Sequence, residues 1–291
     1  MGSPICENFI RMRDIRGFYV NLQNKRKSMI PFKSIRGIYF SPTGTTRAVT
    51  EFVIQQLASR WGLPYLITSY TLPTEREQWK PLAENELVVW GTPVYAGRIP
   101  NKTLDFVKEH LQCPGAKFIA LAVYGGRNYD DTLAELCQIA TEGGLTPIGA
   151  TAVVARHTFS TTLNAGRPNA EDYKRLERFC QDIDPECTTP ITVPGNPHPE
   201  KYYTPLKDDG IPAQFLKAKP ITDLQRCNGC GTCVKVCPMG SRALEADKAT
   251  TPGICIKCQA CIKSCPQEAL RFTDEDFLSH VRMLERTVQG R

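Results

Sequence analysis

Eight of the chain's thirteen cysteines fall between residues 227 and 265. They form one run twice, CxxCxxCxxxCP: Cys227, Cys230, Cys233 and Cys237 before Pro238, then Cys255, Cys258, Cys261 and Cys265 before Pro266. Soft thiolates at this spacing are iron–sulfur ligands, and in two-cluster proteins the fourth cysteine of each run serves the other cluster. Three cysteines on one tight loop can cap three irons of a cube, whereas the fourth, just before a proline, is aimed away. The spacing therefore assigns Cys227, Cys230, Cys233 and Cys265 to one 4Fe–4S cluster, and Cys255, Cys258, Cys261 and Cys237 to a second. Structural zinc competes for such residues but takes pairs of CxxC at longer separations. A secreted disulfide scaffold would spread its cysteines over a short chain behind a signal peptide. Cys113, Cys137 and Cys180 lie on or beside helical stretches and read as small buried hydrophobes.

A second kind of chemistry is written in SPTGTTR (41–47). Hydroxyls and backbone N–H groups where a strand turns into a helix make an anion site that needs no lysine. Ser41, Thr43, Thr45 and Thr46 carry the hydroxyls, and Gly44 permits close backbone approach; an ordinary helix cap is the plainer reading. Two more loops, GTPVYAGRIP (91–100) and YGGRNYDD (124–131), put glycine and tyrosine where an aromatic ring could be cradled. His157 lies on the same rim, as a proton donor or as a capping histidine. Arg98 and Arg127 could hold a carboxylate or simply form salt bridges, and Tyr129 could help position a substrate. No GxGxxG follows a strand, so no nicotinamide fingerprint is present. Electrons would then pass to or from another protein.

The elements that must position these residues follow from periodicity. Apolar runs at 35–40, 63–70, 86–91, 117–125 and 146–156 alternate with helical patterns at 47–61, 101–112, 130–143 and 168–183. Runs apolar almost throughout are buried on both faces, as parallel strands are. The expectation is an α/β fold: a doubly wound five-stranded parallel sheet over residues 35–184, then a small α+β domain over 222–272. Between them, residues 185–221 carry eight prolines and no period, a semi-extended strap. Tyr202 and Tyr203 favour wrapping over dangling, since a free linker has little use for them. In the repeat, the first copy reads two residues longer between its proline and its Ala-Leu. Residues 273–291 end the chain in a helix with Asp274 as N-cap.

The 291 residues carry a formal charge of +6, all of it accounted for by the first 36. A basic arm over 1–34 on an otherwise balanced chain argues against a nucleic-acid partner, which would need a basic folded face. No apolar run approaches the roughly 18 residues of a membrane span. The opening residues lack an apolar core of the secretory type, so the expected location is cytoplasmic.

Residues 222–272 resemble bacterial-type two-cluster ferredoxins. The three loops of the first domain together resemble the flavodoxin FMN site, whose family usually has Asn where Thr45 stands. That resemblance implies a sheet order of 2-1-3-4-5 and FMN as cofactor. It gives phosphate contacts to Ser41, Thr43, Gly44, Thr45 and Thr46, and ring contacts to Pro93, Val94, Tyr95, Ala96, Gly97, Gly125, Gly126, Arg127 and Tyr129. Over 35–272 the chain resembles the fused flavodoxin–ferredoxin proteins of anaerobic prokaryotes. The resemblance implies an electron carrier between FMN, two 4Fe–4S clusters and a partner redox protein. A flavin-dependent reductase of a small-molecule acceptor is the alternative. A strap along the first domain would dock the second beside the flavin rim, so that one cluster, that of Cys227, Cys230, Cys233 and Cys265 or its twin, faces the flavin.

Overall fold

A computed structural model describes residues 30–288; residues 1–29 of the basic arm lie outside the described residues. Five strands form one parallel sheet: β1 (Ser34–Tyr39), β2 (Tyr65–Ser69), β3 (Glu86–Pro93), β4 (Lys117–Tyr124) and β5 (Thr146–Val154). Their order is β2-β1-β3-β4-β5, as the flavodoxin resemblance implies. Helices α1 (Thr45–Trp61), α2 (Pro73–Glu77), α3 (Leu104–His110), α4 (Thr132–Glu142) and α5 (Ala170–Asp182) connect and follow them. Only the short α2 had no periodic signal; one and a half turns are too few to show one.

The strands are apolar throughout because both faces are covered. On one face Ile35, Val89, Ile119 and Leu121 meet α1 and α5 through Val53, Leu57 and Leu176. On the other, Ile38, Val88, Trp90 and Phe118 meet α3 and α4 through Val107, Leu136 and Ile139. Burial of this kind contributes about 25 cal/mol per Å² of apolar surface, which makes the sheet the rigid base of the molecule. Arg36 belongs to this body rather than to a solvated arm. It is buried in β1, and its guanidinium donates to the carbonyls of Lys80 (2.7 Å) and Pro81 (2.6 Å).

The strap follows the first domain. The Ile191 N–H donates to Pro147 O (2.9 Å), the Asn196 N–H to Asp131 Oδ1 (2.8 Å), and the Tyr202 hydroxyl to Ile99 O (2.8 Å). The Tyr203 N–H then donates to Ala96 O (2.8 Å), at the end of β3. Proline spacing shows that the strap has no regular structure; its path is set by side chains that only tertiary structure brings near.

The cysteine-rich segment holds β6 (Ile221–Thr222), α6 (Thr232–Lys235), β7 (Ala243–Glu245), β8 (Lys248–Thr250), α7 (Ala260–Lys263) and β9 (Leu270–Arg271). β6 pairs with β9 and β7 with β8, both antiparallel. The closing helix α8 (Glu275–Thr287) is capped by Asp274, which accepts from the Phe277 N–H at 2.9 Å. Among the described residues no helix is long and apolar enough to cross a membrane.

Candidate functional site

Each CxxCxxC loop wraps by placing left-handed residues between its cysteines. In the first loop these are Gly229 (φ 72°) and Gly231 (φ 73°); 28 residues on they are Lys257 (φ 57°) and Gln259 (φ 66°). Glycine adopts this region freely, and other residues pay about 1–2 kcal/mol. Lys257 is held there by tertiary contacts, its ammonium donating to Leu216 O (2.5 Å) and Cys255 O (3.2 Å). The wrap turns backbone N–H groups onto sulfur, as with Lys257 N to Cys255 Sγ (3.4 Å). α6 and α7 then each carry the third cysteine of their loop on a single helical turn.

The eight cysteines divide between two cavities. One is lined by Cys227, Cys230 and Cys233 of the first run and Cys265 of the second. The other is lined by Cys255, Cys258 and Cys261 with Cys237. Each fourth cysteine thus lies with the opposite loop. Among the described residues no three His, Cys, Asp or Glu side chains converge on a point fit for a single metal ion. The thiols surround space instead, and four soft donors from two loops facing one space fit a cluster.

The two cavities differ in their chemistry. In the first, backbone N–H bonding lowers the Cys227 thiol pKa, and the Thr232 hydroxyl lowers that of exposed Cys230. In the second, burial raises Cys255, pushes Cys258 up to about 12 and pushes Cys261 up to about 11. Bound iron would reverse this, because a coordinating thiol is deprotonated outright.

The repeat also pairs differently in space than in sequence. The Ser241 N–H donates to Cys237 Sγ (3.3 Å), and the Ala269 N–H donates to Cys265 Sγ (3.4 Å), each four residues past its cysteine. Ser241 and Arg242 therefore stand where Ala269 and Leu270 stand in the second copy. The first copy carries a substitution at these two positions, not an insertion before its Ala-Leu.

The three loops of the first domain lie at the carboxyl ends of β1, β3 and β4, around the point where the strand order reverses. This is where doubly wound sheets bind ligands. Gly44 (φ 89°) caps α1 with open space where a side chain would be, Thr43 is exposed and Thr45 half-buried. The Ser41 hydroxyl accepts from the Arg47 N–H (2.9 Å), which shapes the turn. Thr46 is buried, with its methyl towards Gly91. After β3, Ala96 (φ 47°) and Gly97 (φ 82°) make a tight turn closed by Arg98 N to Tyr95 O (3.2 Å), a pair of left-handed residues of the I′ type. A Cβ on Gly97 would lie 2.2 Å from Asp130 Oδ2. This turn carries Pro93, Val94 and Tyr95 to the rim.

The glycines after β4 have a further reason to be glycine. A Cβ on Gly125 would meet the His157 ring at 2.2 Å, and one on Gly126 would meet Asn164 Nδ2 at 2.0 Å. Arg127 pairs with Asp130 and lies over the Tyr203 ring, 3.9 Å from its centroid. Tyr129 packs edge-on against Tyr124 at 5.6 Å. The open space at Gly44, at the head of α1, leaves room for a phosphate to meet the backbone N–H groups there.

Two of the reactive candidates are already committed. Arg98 is buried, its guanidinium paired with Glu135 at 2.5 Å and stacked on Tyr202 at 4.4 Å, so it positions the rim turn rather than reaching a ligand. Glu135, which also accepts from the Ile99 N–H (3.2 Å), was missed; its signal was a lone carboxylate among Leu133, Leu136 and Ile139. His157 Nδ1 accepts from the Phe159 N–H (3.2 Å). Burial, followed by His280, Lys263 and Arg127, lowers its pKa to about 4. It is a neutral, satisfied histidine at pH 7.

The second cavity adjoins the rim. Ile256 packs on the same apolar cluster as Val94 and Tyr129. The Thr158 hydroxyl donates to Cys258 O (3.2 Å), and Arg76 donates to Pro238 O (2.7 Å). Burial raises the Tyr95 phenol well above its ordinary pKa, with Cys258 and Cys255 adding to the effect.

Residues 219–266 match the family of the 4Fe-4S dicluster domain. No curated protein matches the chain. Among solved structures, the flavodoxin of Streptococcus pneumoniae TIGR4 is 18% identical (TM-score 0.37), covering 51% of this chain and 95% of its own. A flavodoxin from the domain Archaea is 18% identical (TM-score 0.35), covering 52% and 95%. The rubredoxin oxygen:oxidoreductase of the anaerobe Desulfovibrio gigas is 16% identical (TM-score 0.37), covering 53% of this chain and 35% of its own. By strand order the first domain is a flavodoxin-like α/β fold, and residues 219–266 beyond it match a 4Fe-4S dicluster domain.

Proposed function

We propose that the protein is a cytoplasmic electron carrier that holds one FMN and two 4Fe–4S clusters and exchanges electrons with a partner redox protein. The observation that carries this reading is the crossed division of eight cysteines between two cavities, the second of which abuts the rim. Bound in these places, FMN exchanges one or two electrons and each cluster one. The chain's own residues do the rest. Thr43, Gly44 and Thr45 hold the phosphate at the head of α1, and the Tyr95 turn and the Gly125 loop flank the ring. Cys255, Cys258, Cys261 and Cys237 hold one cluster against that rim. Cys227, Cys230, Cys233 and Cys265 hold the other on the outward side, where Cys230 is exposed to a partner. A covalent fusion keeps both domains at high effective concentration.

The reductase alternative would need an acid–base group at the rim. His157 is neutral and satisfied, and Arg98 is bound to Glu135, so the carrier reading stands first. Anaerobic purification tests it: about eight irons, matching acid-labile sulfide and one FMN per chain are expected. One or two zincs with little sulfide would overturn the cluster reading, and an apolar pocket over the flavin that traps a substrate would favour the reductase.

A further inference from the structure

Arg242 is a buried cation that pairs with no carboxylate among the described residues. Arg242 is 4% exposed and lines the second cavity. Its Nη2 lies 3.8 Å from Cys233 Sγ, a cysteine of the first cavity, and its Nη1 donates to the Thr251 hydroxyl. Its Nε is buried with no acceptor, and no carboxylate pairs with it among the described residues. Leu270, its equivalent in the second copy, is apolar and packs beside Cys233 and Cys265. The neighbouring chain accommodates the change: a Cβ on Gly253 would lie 2.7 Å from Ser241 Oγ.

An unpaired buried guanidinium is strongly unfavourable, since removing a cation from water is repaid only by an opposite charge nearby. The groups able to supply negative charge here are the thiolate-held clusters on either side. We propose that Arg242 is the shared counter-charge of the two clusters, and that it raises the reduction potential of both. The proposal rests on the two-cluster reading. When one electron from an external reductant enters either centre, that centre gains one negative charge and no proton moves. The fixed cation stabilises this reduced form over the oxidised one. Lying between the cavities, it also offsets repulsion between two electrons held at once, so the pair can deliver both electrons to a two-electron acceptor at the rim.

The test is an EPR-monitored redox titration of the full chain carrying Arg242→Gln or Arg242→Lys, after iron counting. Glutamine keeps donors but no charge; lysine keeps the charge but not the planar fork. With about eight irons retained, Arg242→Gln should lower the reduced-to-oxidised ratio of both centres about tenfold at a fixed potential, a shift of ~59 mV for a one-electron couple. Arg242→Lys should recover most of that shift. Unchanged potentials in Arg242→Gln, or an equal fall in both variants, would overturn the proposal. Loss of iron from both variants would overturn it too, because Arg242 would then be a structural strut. A wild-type protein without eight irons would instead sink the two-cluster reading itself, so the two failures are distinct.

Discussion

The two cysteine cavities come from one repeated motif, yet they are opposite environments. The first has glycine at both left-handed positions, an exposed Cys230 and thiols whose pKa is lowered by backbone and hydroxyl donors. The second uses Lys257 and Gln259 at those positions, has no exposed cysteine, buries Cys258 and borders the rim. The motif fixes which atoms ligate, whereas the surroundings fix who can reach them. Cluster potentials depend on hydrogen bonds and burial, so equal ligand sets here are not expected to give equal centres. On the proposed reading, the outward cavity, with the exposed Cys230, would serve a partner protein and the inward one, beside the rim, would serve the flavin.

The largest effect that could break this comparison comes from the crossing cysteines. Cys265→Ser should remove the outward cluster, taking iron from about eight to about four, and should leave an EPR signal like that of Cys230→Ser. It should not resemble Cys258→Ser, although Cys258 belongs to the same run. If Cys265→Ser and Cys258→Ser lose the same signal, the crossed division is wrong.

Much of this arrangement was legible beforehand because it depends on local spacing. Strands buried on both faces announce themselves as unbroken apolar runs, as in LVVW and FIALAV, and the cysteine spacing gave the crossed sets. What was not legible depends on residues far apart in sequence. The equivalence of Arg242 with Leu270 is hidden because the first copy repeats Ala-Leu two residues later, which draws the alignment out of register. The glycines after β4 read as ring contacts. They also make room for His157 and Asn164, which a linear reading cannot bring near. Arg98 looked available because its partner, Glu135, stands on a different element.

A smaller effect tests the seam between the inward cavity and the rim. His157 lies there, facing Lys263 of the cysteine domain, Arg127 of the rim and His280 of α8. Its pKa is about 4 when folded, against roughly 6.5 unfolded. The unfolded chain therefore takes up the proton first as pH falls. The stability this neutral ring contributes is complete above about pH 6.5 and is lost progressively towards pH 4, by roughly 2 kcal/mol at pH 5. His157→Gln should flatten that part of the profile, measured as the change in urea midpoint between pH 7.5 and pH 5.0. Equal slopes in wild type and variant would mean that the ring is not buried between the domains.

The smallest expected effect is no effect at all, and it separates the two cavities by kinetics. Thr158 to Cys258, Arg76 to Pro238 and Ile256 against the rim cluster fix the inward cavity to the first domain. The strap is itself bonded along that domain from Ile191 to Tyr203. Transfer between centres held at fixed distance requires no diffusion of one body to another. Exchange at the outward cavity with a separate acceptor protein does require diffusive encounter. After rapid photoreduction of the clusters, flavin reduction within the chain should keep the same rate as glycerol is added. Bimolecular oxidation by an added acceptor should slow in proportion to viscosity in the same solutions. If the internal step also slows in proportion, the domains meet by collision, and the contrast between an inward and an outward centre fails.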